Sequence, residues 1–324
     1  MAKRLTVEDQ LAALSALVQT PDAPDVREKL AAGLGSKVNY VAARAAEIAG
    51  RLGRRDLLPE LLTAFDRLMH DPRRLDKGCA ALTPIAKMLY EIGEPVAEPQ
   101  FLAGIAHTQL EASFGPPVDV AAELRGLCAL GLVRIGYRHV MLHLIDLLDD
   151  GWPQARMFAA RALAYSERSE AGYLLRFKLL KGDMEPSVMT ECMNALLPFR
   201  HHDLPQFLRR FLVHEEPEIR TSAALALGQT RLAESLDVLR DHFPRELDRE
   251  SRQTILLAIS TLRLPQATAW LLDLIVNGSP EDAAGAIEAL SLYRSDPALT
   301  EKIHHAARGR SEALVQRALQ KAVL

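Results

Sequence analysis

Glu216–Phe243, EPEIRTSAALALGQTRLAESLDVLRDHF, reads as a turn, a helix rich in small residues, a break and a second helix. Glu216-Pro217-Glu218 starts the first helix. Proline suits the first turn, where its missing N–H costs nothing, and the acids face the positive end of the helix dipole. Ile219, Ala223 and Leu227 repeat at i, i+4 and i+8 and form one apolar stripe. Ala224 and Ala226 keep the helix slim, so that neighbouring backbones approach closely. Gly228 and Gln-Thr-Arg after it end the helix. Leu232, Leu236, Leu239 and Phe243 form a second stripe that Pro244 closes. Neither helix buries its apolar face alone, so each needs a copy of itself alongside.

The copies are present. Aligned on Gly228, the same position recurs as Gly131 in ELRGLCALG, Ala164 in RMFAARALA, Leu197 in TECMNALL, Ser260 in TILLAIS and Ser291 in GAIEALS. The steps along the chain are 33, 33, 31, 32 and 31 residues. A fixed period of this size marks a repeat array. Gly50 in AARAAEIAG continues the series upstream, and Gly93 in IAKMLYEIG continues it with longer steps.

The grammar of EIRTSAALALG resembles the short HEAT repeats of bacterial proteins, the type also found in phycobilisome lyases, over roughly residues 36–320. The resemblance implies an all-α fold: a right-handed α-solenoid of about eight HEAT-like helix-turn-helix repeats with a period of 31–33 residues and helical caps. It places the Ala-rich helices on the concave face. Residues 1–35 are expected to form an N-terminal helical cap and 36–93 the first, irregular repeats. Residues 94–119 form a Pro/Gly-containing insertion, 120–310 the regular repeats and 311–324 a C-terminal capping helix. Within these segments Thr6-Val7-Glu8-Asp9 has the form of a capping box. Asp71–Gly93 reads as a long helical stretch kinked at Pro84, and Gln100–Glu111 as a helix. No β-sheet is expected, and the apolar Leu324 is expected to dock the C-terminus.

Composition narrows the function. The 324 residues are 48% hydrophobic and 25% charged, with a net charge of −3, and the pI is about 6.4. Acids and bases alternate without a basic block, which argues against affinity resting on phosphate neutralisation, so no nucleic-acid partner is expected. No apolar run approaches the roughly 18 residues that span a membrane. Lys3 and Arg4 precede the apolar run Leu11–Val18, but Glu8 and Asp9 stand in between, which is unlike a secretory signal. Cys79, Cys128 and Cys192 are widely spaced and odd in number, as in a reducing cytoplasm.

Candidate chemistry is sparse. His139, His143 and Asp146 share one helical face and have the spacing of metal ligands, yet three ligands from one helix do not close a site, and a polar outer face accounts for them equally. His201-His202 and His304-His305 are doublets assigned to turns. HEAT-like deoxyhypusine hydroxylases bind iron through repeated His-Glu pairs, whereas this chain has one, His214-Glu215. The basic face and aromatic clamps of HEAT-like alkylpurine DNA glycosylases have little counterpart beside Trp152 and Trp270. No P-loop, dinucleotide fingerprint, nucleophile elbow or zinc-protease helix occurs. No cofactor, metal or catalytic residue is therefore expected.

The Ala-rich helices themselves carry the partner-binding candidates. Six and three residues before each aligned small position, large side chains gather in the middle of the array: Arg125, Phe158, Arg161, Glu191 and Asn194, with Tyr165 beside them. Aromatics and arginines are the residues that anchor interfaces. The reading is a non-catalytic scaffold or adaptor that binds a protein or peptide on its concave face. The alternatives are an enzyme or accessory subunit, phycobilisome-lyase-like or glycosylase-like, and a structural assembly subunit.

Overall fold

The structure, a computed structural model, describes residues 6–323. Lys3, Arg4 and Leu324, with the docking expected of Leu324, lie outside the described residues. The helices are α1 (Val7–Ala16), α2 (Val26–Leu34), α3 (Asn39–Arg51), α4 (Leu58–Met69), α5 (Pro72–Leu75), α6 (Leu82–Ile92) and α7 (Glu98–Ile105). They continue as α8 (Ala122–Arg134), α9 (Val140–Leu148), α10 (Pro153–Tyr165), α11 (Ser169–Lys181), α12 (Pro186–Leu196), α13 (Leu204–Arg209) and α14 (Pro217–Thr230). The last are α15 (Ala233–His242), α16 (Arg249–Thr261), α17 (Pro265–Asn277), α18 (Pro280–Leu290), α19 (Pro297–Ala306) and α20 (Ala313–Val323).

This is an all-α solenoid fold. Two compact units divide the chain, Met1–Lys178 and Leu179–Leu324, and α11 runs across the division. In the first unit α1, α3, α6, α8 and α10 pack side by side as one layer, and α2, α4, α7 and α9 back them. In the second unit α12, α14, α16, α18 and α20 form the corresponding layer, backed by α13, α15, α17 and α19. Alanine sets this closeness. Ala42, Ala45, Ala46 and Ala49 of α3, Ala159, Ala160 and Ala162 of α10, and Ala223, Ala224 and Ala226 of α14 are all buried. Leucine and phenylalanine of the backing layer fill the remaining space, with Phe65 and Phe101 among the largest fully buried side chains.

Local signals account for the helix starts. Pro153, Pro186, Pro217, Pro265, Pro280 and Pro297 each open a helix, where their fixed φ favours the first turn. Thr6 forms the expected capping box, its hydroxyl accepting from Asp9 N while the Asp9 carboxylate accepts from Thr6 N. Helix ends use the left-handed region. Gly53, Gly93 and Gly136 follow α3, α6 and α8 with positive φ, and glycine holds that conformation without a Cβ penalty.

Three local expectations are corrected. Asp71–Gly93 is not one kinked helix: α5 ends at Leu75, a bend with positive φ at Gly78 and Cys79 follows, and α6 starts at Leu82. The Asp76 carboxylate, fully buried, accepts from Ala81 N and Leu82 N and so starts α6 anew. Pro84 then sits in the first turn of α6, where it breaks nothing. The helix read over Gln100–Glu111 stops at Ile105, and Leu110–Glu111 pairs antiparallel with Val118–Asp119, Leu110 opposite Asp119. This short hairpin is the β structure that the helical reading lacked, and Ala112–Pro117 at its tip carry a fully exposed Phe114. Finally, His304 and His305 lie in the last turn of α19 rather than between helices.

Candidate functional site

Arginine is the fourth residue of α8, α10, α14 and α16: Arg125, Arg156, Arg220 and Arg252. Each reaches back to the loop that leads into its own helix. Arg125 donates to His107 O at 2.9 Å, Arg156 to Asp150 O at 2.8 Å, Arg220 to His214 O at 3.1 Å, and Arg252 to Phe243 O and Glu246 O at 2.9 and 2.8 Å. Three of them also reach an acid that precedes or opens the next Ala-rich helix. Arg125 grips Asp150 through Nε and Nη2, both at 2.9 Å, Arg252 contacts Asp282 at 2.7 Å, and Arg220 lies 3.5 Å from Glu246. These arginines stitch consecutive repeats together.

Arg125 is therefore not a groove residue, and its assignment to the partner-binding strip is corrected. Its side chain is 5% exposed. The reason is register. Gly131 is the tenth residue of α8, whereas Ala164, Gly228 and Ser260 are the twelfth of theirs. Their environments differ as well. A Cβ on Gly131 would lie 2.4 Å from the Phe101 ring of the backing layer, and one on Gly228 would lie 2.5 Å from Ala258 O in the neighbouring Ala-rich helix. Aligning the two glycines shifted α8 by two positions and brought a structural arginine into the surface column. Burial opposes the charge on Arg125, but hydrogen bonds to Asp150 and Asp119 outweigh it and hold the guanidinium above its ordinary pKa.

The other predicted residues stand as follows. In the first unit, Phe158 is half-buried over Gly126, whose missing side chain makes room for the ring, and the Arg161 guanidinium stacks on it 5.3 Å from the centroid. Tyr165, at the end of the same helix, is 67% exposed. In the second unit, Glu191 is half-buried and Asn194 exposed on α12. His139 and Asp146 are exposed, and both His139 and His143 lie beside the Tyr137 ring at 5.9 and 6.0 Å. Among the described residues no group of three His, Cys, Asp or Glu side chains is arranged to hold a metal.

Asn194 opens onto a cleft of ≈ 810 Å³ within the second unit, which the strip as read from sequence did not include. Its walls are the C-terminal ends of α12, α14 and α16 and the turns after them: Leu197, Pro198, Arg200 and Leu204, then Gln229, Thr230, Arg231 and Leu232, then Thr261. Thr230 pins its turn, donating from its hydroxyl to Leu227 O at 2.7 Å and accepting from Leu232 N at 3.3 Å. Arg200 and Arg231 occupy the left-handed position with φ of 46° and 56°. Arg263 does the same after α16 with φ 57°, and Arg294 follows α18. All four are exposed. Sequence spacing held the signal, since Arg200, Arg231, Arg263 and Arg294 follow one another at 31, 32 and 31 residues.

A family model described as HEAT repeats matches residues 174–260, which cover α12 to α16. The chain carries HEAT repeats over that segment. Solved structures of low sequence identity align with it. Kap121p is 14% identical, with a TM-score of 0.50 over 98% of this chain and 37% of that one. The CpcE–CpcF complex of phycocyanin lyase from Nostoc sp. PCC7120 is 16% identical, with a TM-score of 0.39 over 92% of this chain and 94% of that one. Human deoxyhypusine hydroxylase in complex with glycerol is 17% identical, with a TM-score of 0.33 over 80% and 91%. No curated protein sequence matches this chain. Among the described residues no helix is long and apolar enough to cross a membrane.

Proposed function

We propose that this HEAT-repeat protein is a non-catalytic scaffold or adaptor that binds a protein or peptide on the free face of its Ala-rich helices, the face that the HEAT resemblance makes concave. One observation carries the reading. The cleft at Asn194 is walled by aliphatic, amide, hydroxyl and guanidinium groups, with no carboxylate, imidazole or thiol among its lining. Such a wall offers apolar contact and hydrogen bonds along a chain, while general acid–base chemistry needs a titratable group poised near neutral pH. Phe158, Arg161 and Tyr165 form a separate patch in the first unit, an aromatic-plus-guanidinium combination of the kind that anchors partners. In the second unit Asn194 lines the cleft, and Glu191 stands one turn before it on α12. Kap121p has been solved bound to Pho4p, to the protease Ulp1p and to RanGTP, which are protein partners of that molecule.

The test is selection of a random peptide library on the immobilised protein. Selected peptides should bind the wild type in solution and bind at least tenfold more weakly to Asn194→Ala/Gln229→Ala or to Tyr165→Ala. The melting temperature should stay nearly unchanged, because exposed substitutions usually cost within ~0.5 kcal/mol. A library that yields no reproducible binder, or binders indifferent to all three substitutions, overturns the reading.

A further inference from the structure

The four exposed turn arginines of the second unit do not join the ion pairs that link consecutive repeats. Among the described residues no ion pair uses Arg200, Arg231, Arg263 or Arg294. Arg263 stacks on the Tyr293 ring at 5.3 Å, which holds its guanidinium in place while leaving the hydrogen-bonding edge open. Three of the four occupy a backbone conformation that this chain gives to glycine after α3, α6 and α8. A bulky residue in that conformation is strained, and strain of this kind gathers at functional positions. Arg200 and Arg231 line one cleft with Leu197, Pro198, Leu204 and Leu232, and no acid shares that lining.

We infer that this row is a recognition track for an extended peptide segment carrying an acidic side chain at every third residue, with apolar residues between. The inference rests on the peptide-binding reading above and specifies its ligand. Packed helices stand roughly 8–10 Å apart, so consecutive arginines on adjacent Ala-rich helices share about that step. A polyproline-type chain advances about 9 Å in three residues, which matches one carboxylate to each guanidinium. Arginine takes a carboxylate through two parallel N–H donors, which fixes geometry as well as charge. The intervening apolar residues meet Leu197, Pro198 and Leu232. A nucleic acid fits less well, because a strand carries a phosphate roughly every 3.4 Å of duplex axis and would leave most of its charges facing no cation.

The experiment measures fluorescence anisotropy of a labelled (Glu-Leu-Pro)4 peptide titrated with the full chain, at low and at physiological salt. Controls are (Lys-Leu-Pro)4, a peptide with glutamate at every second residue, and a twelve-nucleotide oligo-dT. The acidic every-third peptide should bind, weaken with salt, and exceed each control at least tenfold. Arg200→Glu/Arg231→Glu should abolish the binding. Arg200→Gly/Arg231→Gly, which suits the left-handed turn and keeps the fold, should weaken it at least tenfold with an unchanged or raised melting temperature. Absent binding of (Glu-Leu-Pro)4, full binding by the glycine variant, or tighter binding of oligo-dT overturns the inference. If library peptides without acids still depend on Asn194 and Gln229, the acidic track alone has failed and the broader reading stands.

Discussion

Arg125 Nη1 lies 2.6 Å from Asp119 Oδ2, with the two side chains 5% and 0% exposed. Asp119 closes the hairpin, and its other oxygen accepts from Gln109 N and Ala121 N. The pair thus ties the irregular insertion to the first regular Ala-rich helix. Removing one partner strands a buried charge, which costs far more than the pair contributes net. Arg125→Ala should destabilise the protein by about 3–5 kcal/mol in urea unfolding. A loss below about 1 kcal/mol would show that solvent reaches Asp119 once the guanidinium is gone.

Gly228 touches a neighbouring helix backbone, since a Cβ there would sit 2.5 Å from Ala258 O and 2.8 Å from Ala258 Cα. Main chain cannot rotate aside as a side chain does. Gly228→Ala and Ala224→Leu, the latter at a position 1% exposed, should each cost about 1–3 kcal/mol by overpacking. Denaturation midpoints measure this, and an unchanged midpoint for either would put that position outside the helix contact.

His242 gives the protein a pH dependence of known sign. Burial holds its imidazole below the ordinary 6.5; Glu246 acts against the shift and Arg245 and Arg220 act with it. The unfolded chain therefore takes up the proton more readily than the folded one. Stability from this group is complete above pH 6.5 and is lost as the pH falls from there through the lowered folded value, by at most about 1.4 kcal/mol per pH unit. Comparing urea midpoints at pH 7.5 and 5.5, the wild type should lose more than His242→Gln. Equal losses would assign the pH response to other groups.

Cys79, Cys128 and Cys192 are all buried. Burial, then the carboxylates of Asp76, Asp119 and Glu111, push the Cys79 thiol up to about 12, and burial raises Cys128 as well. Reactivity follows the thiolate. Native protein at pH 8 should react with an aromatic disulfide reagent at least a hundredfold more slowly than protein in guanidinium, where all three label. Fast labelling of any one in the native state would reveal local opening near it.

Much of the fold was legible because repeats speak through local chemistry. Prolines at helix starts, the Thr6 capping box and the stripes of alanine and leucine each state an element within a few residues. The failures share a cause, which is that a long-range contact overrode a local signal. Nothing in KGCAALTP predicts that the buried Asp76 carboxylate restarts a helix there. The apolar rhythm of Gln100–Ile105 runs on toward Leu110, but Gln109 turns away to donate to Asp76 O at 3.0 Å and Glu111 Oε1 at 2.7 Å. At the candidate site, Asn194 was readable as surface, whereas Arg125 was misplaced because two glycines of different environment were set in one column. The arginine row went unread because a left-handed turn is looked for at glycine, and here arginine holds it at Arg200, Arg231 and Arg263.

The hairpin has a consequence for anyone who wishes to instrument this molecule. Its base is clamped by Gln109, Glu111 and Asp119, while the hydrogen bonds of its tip are internal, from Ser113 Oγ to Pro116 O and from Gly115 N to Ser113 Oγ. The length of the tip is thereby decoupled from the clamp beneath it. Each doubling of a flexible loop adds only about 0.6 kcal/mol of closure entropy. An epitope or a small fluorescent reporter grafted after Gly115 should ride on the surface without loosening the stack, and the clamp would keep its two ends in fixed register with the helices below.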